Sequence, residues 1–344
     1  MKQINYLYPQ KGMSVTEVPE PQIKKPNDVK VKIEYAAICG SDIHILNGAF
    51  DYIFQMFGYP EGTPIPLGHE AAGTVVEVGS EVTNCKVGDK VTFNNAQGCG
   101  KCHFCRNGME NMCTSQITGF GGMCEYVVIP DANAYIIPEG ITTRQASITE
   151  PISIAMGAID RAGIKPGESV AIIGGGPIGM LVLQLVRMQG ACPIALFDIV
   201  EEKFEIAKKL GADIALDSRD EASYEKAMAA TNGIGYDKVI ECSGTTKVLD
   251  LAMNLLSKNG HLVIASAYAG GSKMEINLDT FFMKNLSIAA TYCSANQFEH
   301  SVKMLNRIDF ENTITAEFPF DEYEKGFEAH KSGKNVKVIF KVSE

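Results

Sequence analysis

The sequence predicts an α/β fold of two domains, one β-rich and one built on a doubly wound parallel sheet. Three observations carry that expectation. At 344 residues the chain is too long for one ordinary hydrophobic core and suits about two domains. Its patterning changes near residue 155, from short strands broken by Gly and Pro to apolar runs alternating with helix-length segments. One of those runs leads directly into a glycine-rich turn followed by an apolar helix.

In the first part, Val29-Lys30-Val31-Lys32-Ile33 alternates, the segment 72–79 is β-rich, and 124–129 is a further strand before Pro130. In the second part, the predominantly apolar runs 169–173, 194–197, 238–241 and 262–265 read as strands buried on both faces. Segments 179–189 and 201–210 supply helices between them, which is the alternation of a parallel sheet. The final apolar run, 336–340, is a lone strand expected to rejoin the first domain. Composition is that of a soluble globular protein, 45% hydrophobic and 21% charged with mean hydropathy close to zero. No run approaches the roughly 20 apolar residues that span a bilayer, so no membrane partner is expected. The N-terminal residues lack a signal-peptide pattern. Ten cysteines without an export signal point to a reducing, cytoplasmic location. A net charge of −10 argues against nucleic acid as a partner.

Cys99, Cys102, Cys105 and Cys113 follow the spacing C-x2-C-x2-C-x7-C. Thiolates this close repel one another, and a Zn²⁺ ion bound by all four removes the repulsion. Gly98, Gly100 and Gly108 let the backbone wrap tightly around the ion. Two-residue gaps suit metal ligation better than disulfides. With four thiolate ligands no position remains for substrate, so this zinc is structural and the chemistry must lie elsewhere.

The run 169–173 leads into Gly174-Gly175-Gly176-Pro177-Ile178-Gly179, a G-x-G-x-x-G turn before a helix. Gly174 allows the tight turn, Gly176 lets the backbone approach a pyrophosphate, and Gly179 lets helix pack on strand. The helix N-terminus offers free N–H groups and partial positive charge to the phosphates. The next strand ends in Asp198, 19 residues beyond Gly179. A carboxylate there accepts both ribose hydroxyls of NAD and repels the extra phosphate of NADP, which favours NAD. The plainer alternative has Asp198 capping the helix that carries Glu201 and Glu202.

Cys39 and His69 stand in glycine-flanked segments of the first domain, and Glu150 precedes Pro151 at the junction between domains. Singly they read as a small core residue and a satisfied histidine. Together they suggest a second metal with mixed ligands at an interdomain cleft. Three protein ligands plus water is the arrangement of a catalytic zinc.

In order along the chain, Cys39-Gly40-Ser41-Asp42-Ile43-His44, Gly68-His69-Glu70-Ala71-Ala72-Gly73, Val87-Gly88-Asp89-Lys90-Val91, the cysteine lobe, Gly121-Gly122-Met123-Cys124-Glu125-Tyr126, Glu150-Pro151, the glycine loop with Asp198, and Glu241-Cys242-Ser243-Gly244 share one pattern. Over essentially its whole length the chain resembles the zinc-dependent medium-chain alcohol and polyol dehydrogenases, sorbitol, galactitol-phosphate and threonine dehydrogenases among them. The resemblance implies a GroES-like catalytic domain over 1–153 and 293–344, and a Rossmann domain over 154–292. It implies two zinc ions per chain, with Cys39, His69 and Glu150 on the catalytic one and Glu70 beside it, exchanging with water as a ligand. Glu150 stands where liver-type alcohol dehydrogenases use cysteine, which places the chain on the polyol and threonine side. Asp42 is expected to accept a hydrogen bond from the distal nitrogen of His69. Ser41 is expected to bond the substrate hydroxyl, and His44 to pass the proton to solvent by way of the cofactor ribose. Lys203 would flank the adenine ribose with Asp198, and Ser243 and Tyr292 join the cofactor site.

The function so implied is reversible NAD-dependent oxidation of a secondary alcohol, a polyol or sugar alcohol, to a ketone. One rival is threonine-type dehydrogenation of a hydroxy amino acid. Another is a non-catalytic zinc protein that senses NAD. A homodimer or homotetramer is expected through a sheet edge near Leu286-Ser287-Ile288. Two features depart from the sorbitol pattern. Thr291 stands where many polyol dehydrogenases carry an arginine before the tyrosine, and the long connection 47–66 is rich in aromatics that either line the cleft or pack a loop. No basic cluster marks a substrate phosphate. Cys85, Cys124, Cys192, Cys242 and Cys293 are expected in the core, and His103, His261, His300 and His330 receive no functional role.

Overall fold

Alternation and β-branched residues make Asp28–Ala37 the central strand of a seven-stranded sheet. In this computed structural model of the chain, every residue is described except 57, 95, 116, 119, 120, 294–296 and 344, as are all side chains but those and residues 53, 56, 96, 97, 117 and 118. Asp28–Ala37 pairs antiparallel with Glu70–Val78, with Tyr126–Pro130 and with Lys337–Lys341. The last of these is the returning strand, and it also lies parallel to Ile314–Pro319. The core beneath holds Val29, Val31, Ile33, Val91, Phe93, Phe327, Val338 and Phe340.

The second sheet has six strands, all parallel, in the order Ile214–Asp217, Ile194–Asp198, Val170–Ile173, Tyr236–Glu241, Leu256–Ile264, Ser287–Ala290. Its central strand Val170–Ile173 is buried throughout, as a strand with helices on both faces must be. Helix Pro177–Met188 buries seven consecutive residues from Met180 to Val186 in that core. Strand order reverses between Val170–Ile173 and Tyr236–Glu241, which opens a crevice at the carboxyl ends of the strands. The expected helix 201–210 is a 3-10 turn, Glu201–Lys203, followed by helix Phe204–Leu210. Helix Thr149–Ala162 carries Glu150 in its first turn and ends at Gly163 in the left-handed region. No described helix is long and apolar enough to cross a membrane.

Candidate active site

Pairing of neighbouring strands places the ends of two segments together. Strand Asp28–Ala37 runs out through Ile38 to Cys39, which caps helix Gly40–Leu46, while Ala37 pairs with Glu70 at the start of Glu70–Val78. Asp42, fully buried, fastens the junction: Cys39 N donates to its Oδ2 at 2.9 Å and Gly68 N to its Oδ1 at 3.1 Å. Gly68 has φ +84°, and a Cβ there would stand 2.6 Å from Met123 Cγ. Cys39 Sγ, a His69 ring nitrogen and a Glu70 carboxylate oxygen consequently lie within 4.8 Å of one another.

This donor set fits a zinc ion. Sulfur, imidazole and carboxylate are the ligands of catalytic zinc, and His69 Nδ1 and Glu70 Oε1 are buried without a hydrogen-bond partner, a state that costs free energy unless something binds them. Burial lowers the pKa of His69, but Cys39, Glu150 and Asp42 outweigh it and hold the ring well above its ordinary value. Of the ligands implied by the resemblance, Cys39 and His69 are brought together with Glu70. Glu150 stands outside that group, though its charge reaches His69; burial first, then the charges of Glu70 and Asp42, raise its own carboxyl to about 7 against the pull of His69 and Lys337. Asp42 also departs from expectation. Its hydrogen bonds go to two backbone amides, and it acts on His69 only through space.

One participant escaped sequence reading. Lys337 Nζ donates to Ile38 O at 2.8 Å and pairs with Glu70 Oε2, both side chains being at most 1% exposed. Burial lowers the lysine pKa, but the charge of Glu70 leads the effects that raise it overall. Breaking such a pair costs about 3–5 kcal/mol, because the remaining charge is left buried alone. The signal available was a lysine opening the strand ahead of the apolar run Val338-Ile339-Phe340.

Ser41 Oγ is buried and has no partner. His44 lies one turn further along the same helix, its ring 5.8 Å from that of Phe50. The aromatic connection mostly packs the body: Phe54 is buried against Tyr6, Tyr8 and Tyr59. Tyr52 is exposed and stands near Tyr292, and Phe57 lies outside the described residues. Cys293 is not a core residue. It adopts φ +49° and is half-buried, with burial and the charge of Glu150 pushing its thiol up to about 11; His69 and Cys39 act on it too. Cys124 is buried as expected, Cys192 is exposed, and Cys85 and Cys242 are intermediate.

The four thiols of the cysteine lobe also lie within 4.8 Å of one another. The Cys102 sulfur is 3.5 Å from that of Cys105 and 3.9 Å from that of Cys113. Zn–S bonds of about 2.3 Å in a tetrahedron require sulfurs about 3.8 Å apart, so the lobe fits the ion. Backbone N–H groups of Cys99, Cys102, Cys105 and Ser115 point at these sulfurs from 3.3 to 3.5 Å. The Cys105 amide leads the effects that bring the Cys102 thiol down to about 6.

At the second sheet, Gly174 has φ +105°, and a Cβ there would meet Ser243 N at 2.8 Å. A Cβ on Gly179 would stand 1.8 Å from Gly174 O, so glycine is obligatory at both positions. Gly176 caps helix Pro177–Met188, with Pro177 in its first turn and Ile178 following, and the space before Gly176 is open. Asp198 does not cap the turn that carries Glu201 and Glu202, whose N-cap is Val200 with no side-chain cap bond; its carboxylate instead binds its own turn and the glycine loop. Its Oδ2 accepts from Gly175 N in the glycine loop at 2.6 Å, and its Oδ1 accepts from Ile199 N and Val200 N at 2.7 and 2.8 Å. Lys203 is buried within reach of Asp198; burial lowers its pKa and Asp198 opposes that. The Ser243 hydroxyl donates to Glu241, and Tyr292 is exposed.

Two family models match: the alcohol dehydrogenase GroES-like domain over residues 25–139 and the zinc-binding dehydrogenase domain over 177–307. The chain is 31% identical to a sorbitol dehydrogenase of Halalkalibacterium halodurans over 336 residues, covering 95% of this chain and 94% of that one. It is 32% identical to an L-threonine 3-dehydrogenase of Shewanella sp. over 349 residues, covering 98% and 99%. A crystal structure of a zinc-binding dehydrogenase from Clostridium scindens superposes with TM-score 0.94 at 34% identity, covering 100% of both chains. Another, from Sinorhizobium meliloti and bound to NADP, gives 0.86 at 29% identity and 99% coverage of each. With GroES-like and zinc-binding dehydrogenase domains both matched and relatives aligned along nearly its full length, the chain belongs to the zinc-dependent medium-chain alcohol and polyol dehydrogenases.

Proposed function

We propose that the protein oxidises a secondary alcohol, a polyol or sugar alcohol, to the ketone and catalyses the reverse reaction, with NAD as the hydride carrier. The convergence of Cys39, His69 and Glu70, with the unpartnered hydroxyl of Ser41 in the first turn of the helix that Cys39 caps, carries this reading. Cys39, His69 and Glu150, with Glu70 in exchange with water, would hold a catalytic zinc, and Cys99, Cys102, Cys105 and Cys113 a structural one. When bound, the catalytic ion supplies Lewis acidity that makes an alcohol proton easy to remove. Ser41 accepts that proton from the substrate hydroxyl. His44, one turn along the helix, takes it on toward solvent by way of the cofactor ribose. Asp42 holds the Cys39 and Gly68 backbones in place, and Lys337 orients Glu70. Gly174, Gly176, Pro177, Ile178 and Gly179 cradle the pyrophosphate, while Asp198 and Lys203 take the adenine ribose, with Ser243 and Tyr292 completing the site.

The domain division read from sequence, 1–153 with 293–344 and 154–292, puts this site at the cleft between them. Preference for NAD rests on Asp198, although the Sinorhizobium meliloti neighbour binds NADP. A homodimer or homotetramer is supported by the edge strand Ser287–Ala290 and the adjacent helix Leu278–Met283, whose Leu278, Phe282 and Met283 are 75%, 80% and 69% exposed. A cytoplasmic location accords with the free cysteines. Identity to a threonine dehydrogenase favours hydroxy amino acid oxidation as the second reading.

The test is reduced-nicotinamide absorbance with NAD and a panel of polyols, sugar phosphates, threonine and simple secondary alcohols, before and after chelation. Chelator-sensitive turnover of polyols is the expected result. Turnover of threonine alone would move the assignment to the second reading. Silence from a folded, zinc-loaded sample would overturn the catalytic assignment in favour of a protein that senses NAD.

A further inference from the structure

Glu241 ends the strand Tyr236–Glu241 and is wholly buried. Its Oε1 accepts from Ser243 N at 2.6 Å, from Gly244 N at 3.1 Å and from the Ser243 hydroxyl. Its Oε2 accepts from Tyr268 Oη at 2.6 Å and from the Ser266 hydroxyl. An ionised carboxylate offers about four lone-pair sites, so five donors leave none idle. Burial and the neighbouring Glu241 raise the Tyr268 pKa, which keeps the phenol a donor.

These contacts join loops that sequence separates. Residues 242–245 follow one strand and 265–269 the next, and the two loops touch, since a Cβ on Gly244 would stand 2.8 Å from Ala267 O. The glycine loop abuts the first of them, because a Cβ on Gly174 would meet Ser243 N at 2.8 Å. A single carboxylate therefore knits together the carboxyl-end rim of the crevice.

The half of the crevice concerned follows from topology. Asp198 and the glycine loop mark the side of the sheet before the strand order reverses; Glu241 and the loops it holds lie after it. The neighbouring edge strand Ser287–Ala290 runs on to Cys293, which feels the charges of Glu150, His69 and Cys39. Thr291 N donates to Ile264 O at 3.0 Å, just before residues 265–269, so this end of the rim leads through Cys293 to within electrostatic reach of His69 and Cys39, where a hydride acceptor must lie close to the substrate.

We propose that Glu241 is the positioning residue for the nicotinamide half of the cofactor, acting through Ser243, Gly244, Ser266 and Tyr268. With their protons given to Glu241, the three hydroxyls present acceptor oxygens only. The ligand group they suit is a donor, the carboxamide N–H of a nicotinamide. The proposal rests on the dinucleotide reading above and sharpens it.

The test uses the zinc-loaded full chain, its Glu241→Gln variant and its Tyr268→Phe variant. Affinities for NADH and for ADP-ribose are measured by calorimetry, and KM for NAD by steady-state kinetics. ADP-ribose lacks the nicotinamide, so loss of positioning spares it, whereas general damage to the fold does not. Glu241→Gln should weaken NADH about tenfold, as expected for disturbing charge-assisted hydrogen bonds, raise KM for NAD similarly, and leave ADP-ribose within about twofold. Tyr268→Phe should show the same pattern more weakly, and it carries the comparison alone if Glu241→Gln does not fold. Unchanged NADH affinity, or equal loss of both ligands, overturns the proposal. Failure of the unaltered protein to bind either ligand overturns the dinucleotide reading itself, and this inference with it.

Discussion

Asp198 holds three backbone amides at 2.6–2.8 Å, one from the glycine loop and two from its own turn. It thus ties its own turn to the glycine loop rather than capping the turn that follows, whose N-cap is Val200. Arg219 stands close by: its guanidinium donates to Ile199 O at 2.9 Å and is paired with Asp217. Asp198 adds a second negative charge to this guanidinium, and without it only Asp217 opposes the cation, a setting that suits an added phosphate. Asp198→Gly should therefore lower the NAD-over-NADP ratio of kcat/KM by about tenfold or more, equivalent to ~1.4 kcal/mol. Steady-state kinetics with both cofactors checks this, and an unchanged ratio would mean the ribose contact lies elsewhere.

The cysteine lobe acts beyond its own fold as an element. Its 3-10 turn Glu110–Met112 leads into Cys113, and Asn111 Nδ2 donates to Tyr292 O at 2.7 Å. That bond tethers the lobe to the segment carrying Cys293, hence to the rim of the cleft. On the proposal of two zinc ions per chain, Cys113→Ser should cut zinc content from two equivalents to one, because a structural site is lost with a ligand. It should also raise KM for the alcohol several-fold while KM for NAD changes little. Elemental analysis and kinetics on one preparation decide it; two equivalents retained would show that the lobe does not depend on Cys113 for its metal.

Across the whole molecule, His330 marks where the two sheets' appendages meet. It lies in the last turn of helix Tyr323–Lys331, where burial first, then the charges of Lys337 and Lys203, lower its pKa to about 4 from 6.5. Lys203 belongs to the turn after Asp198 and Lys337 to the Glu70 pair, so the histidine senses both halves. Between about pH 6.5 and 4 the unfolded chain takes up a proton that the folded chain refuses. Stability therefore falls as pH drops through that window, by at most about 1.4 kcal/mol per pH unit from this one group. His330→Gln should flatten the decline in urea midpoints measured from pH 7 to 4. An identical slope in the variant would remove His330 from the acid response.

Features that local patterning encodes could be read directly from the amino acids. Two-residue gaps between cysteines, a glycine turn between strand and helix, and apolar runs of strand length specify the lobe, the cradle and the parallel sheet, because each depends on neighbours within about twenty positions. The candidate metal site was legible in outline from Cys39, His69 and Glu150, and the resemblance added Glu70 and Asp42, but the arrangement of these side chains was not. Glu70, expected beside the metal, lies in the group with Cys39 and His69, Glu150 lies outside it, and Asp42 bonds backbone amides rather than His69. Lys337, Glu241 with Tyr268, and Cys293 at the cleft were decided only by tertiary structure. Each is defined by partners from 25 to about 300 residues away, and which buried charge finds which partner depends on how strands pair and loops close, a matter no local pattern records.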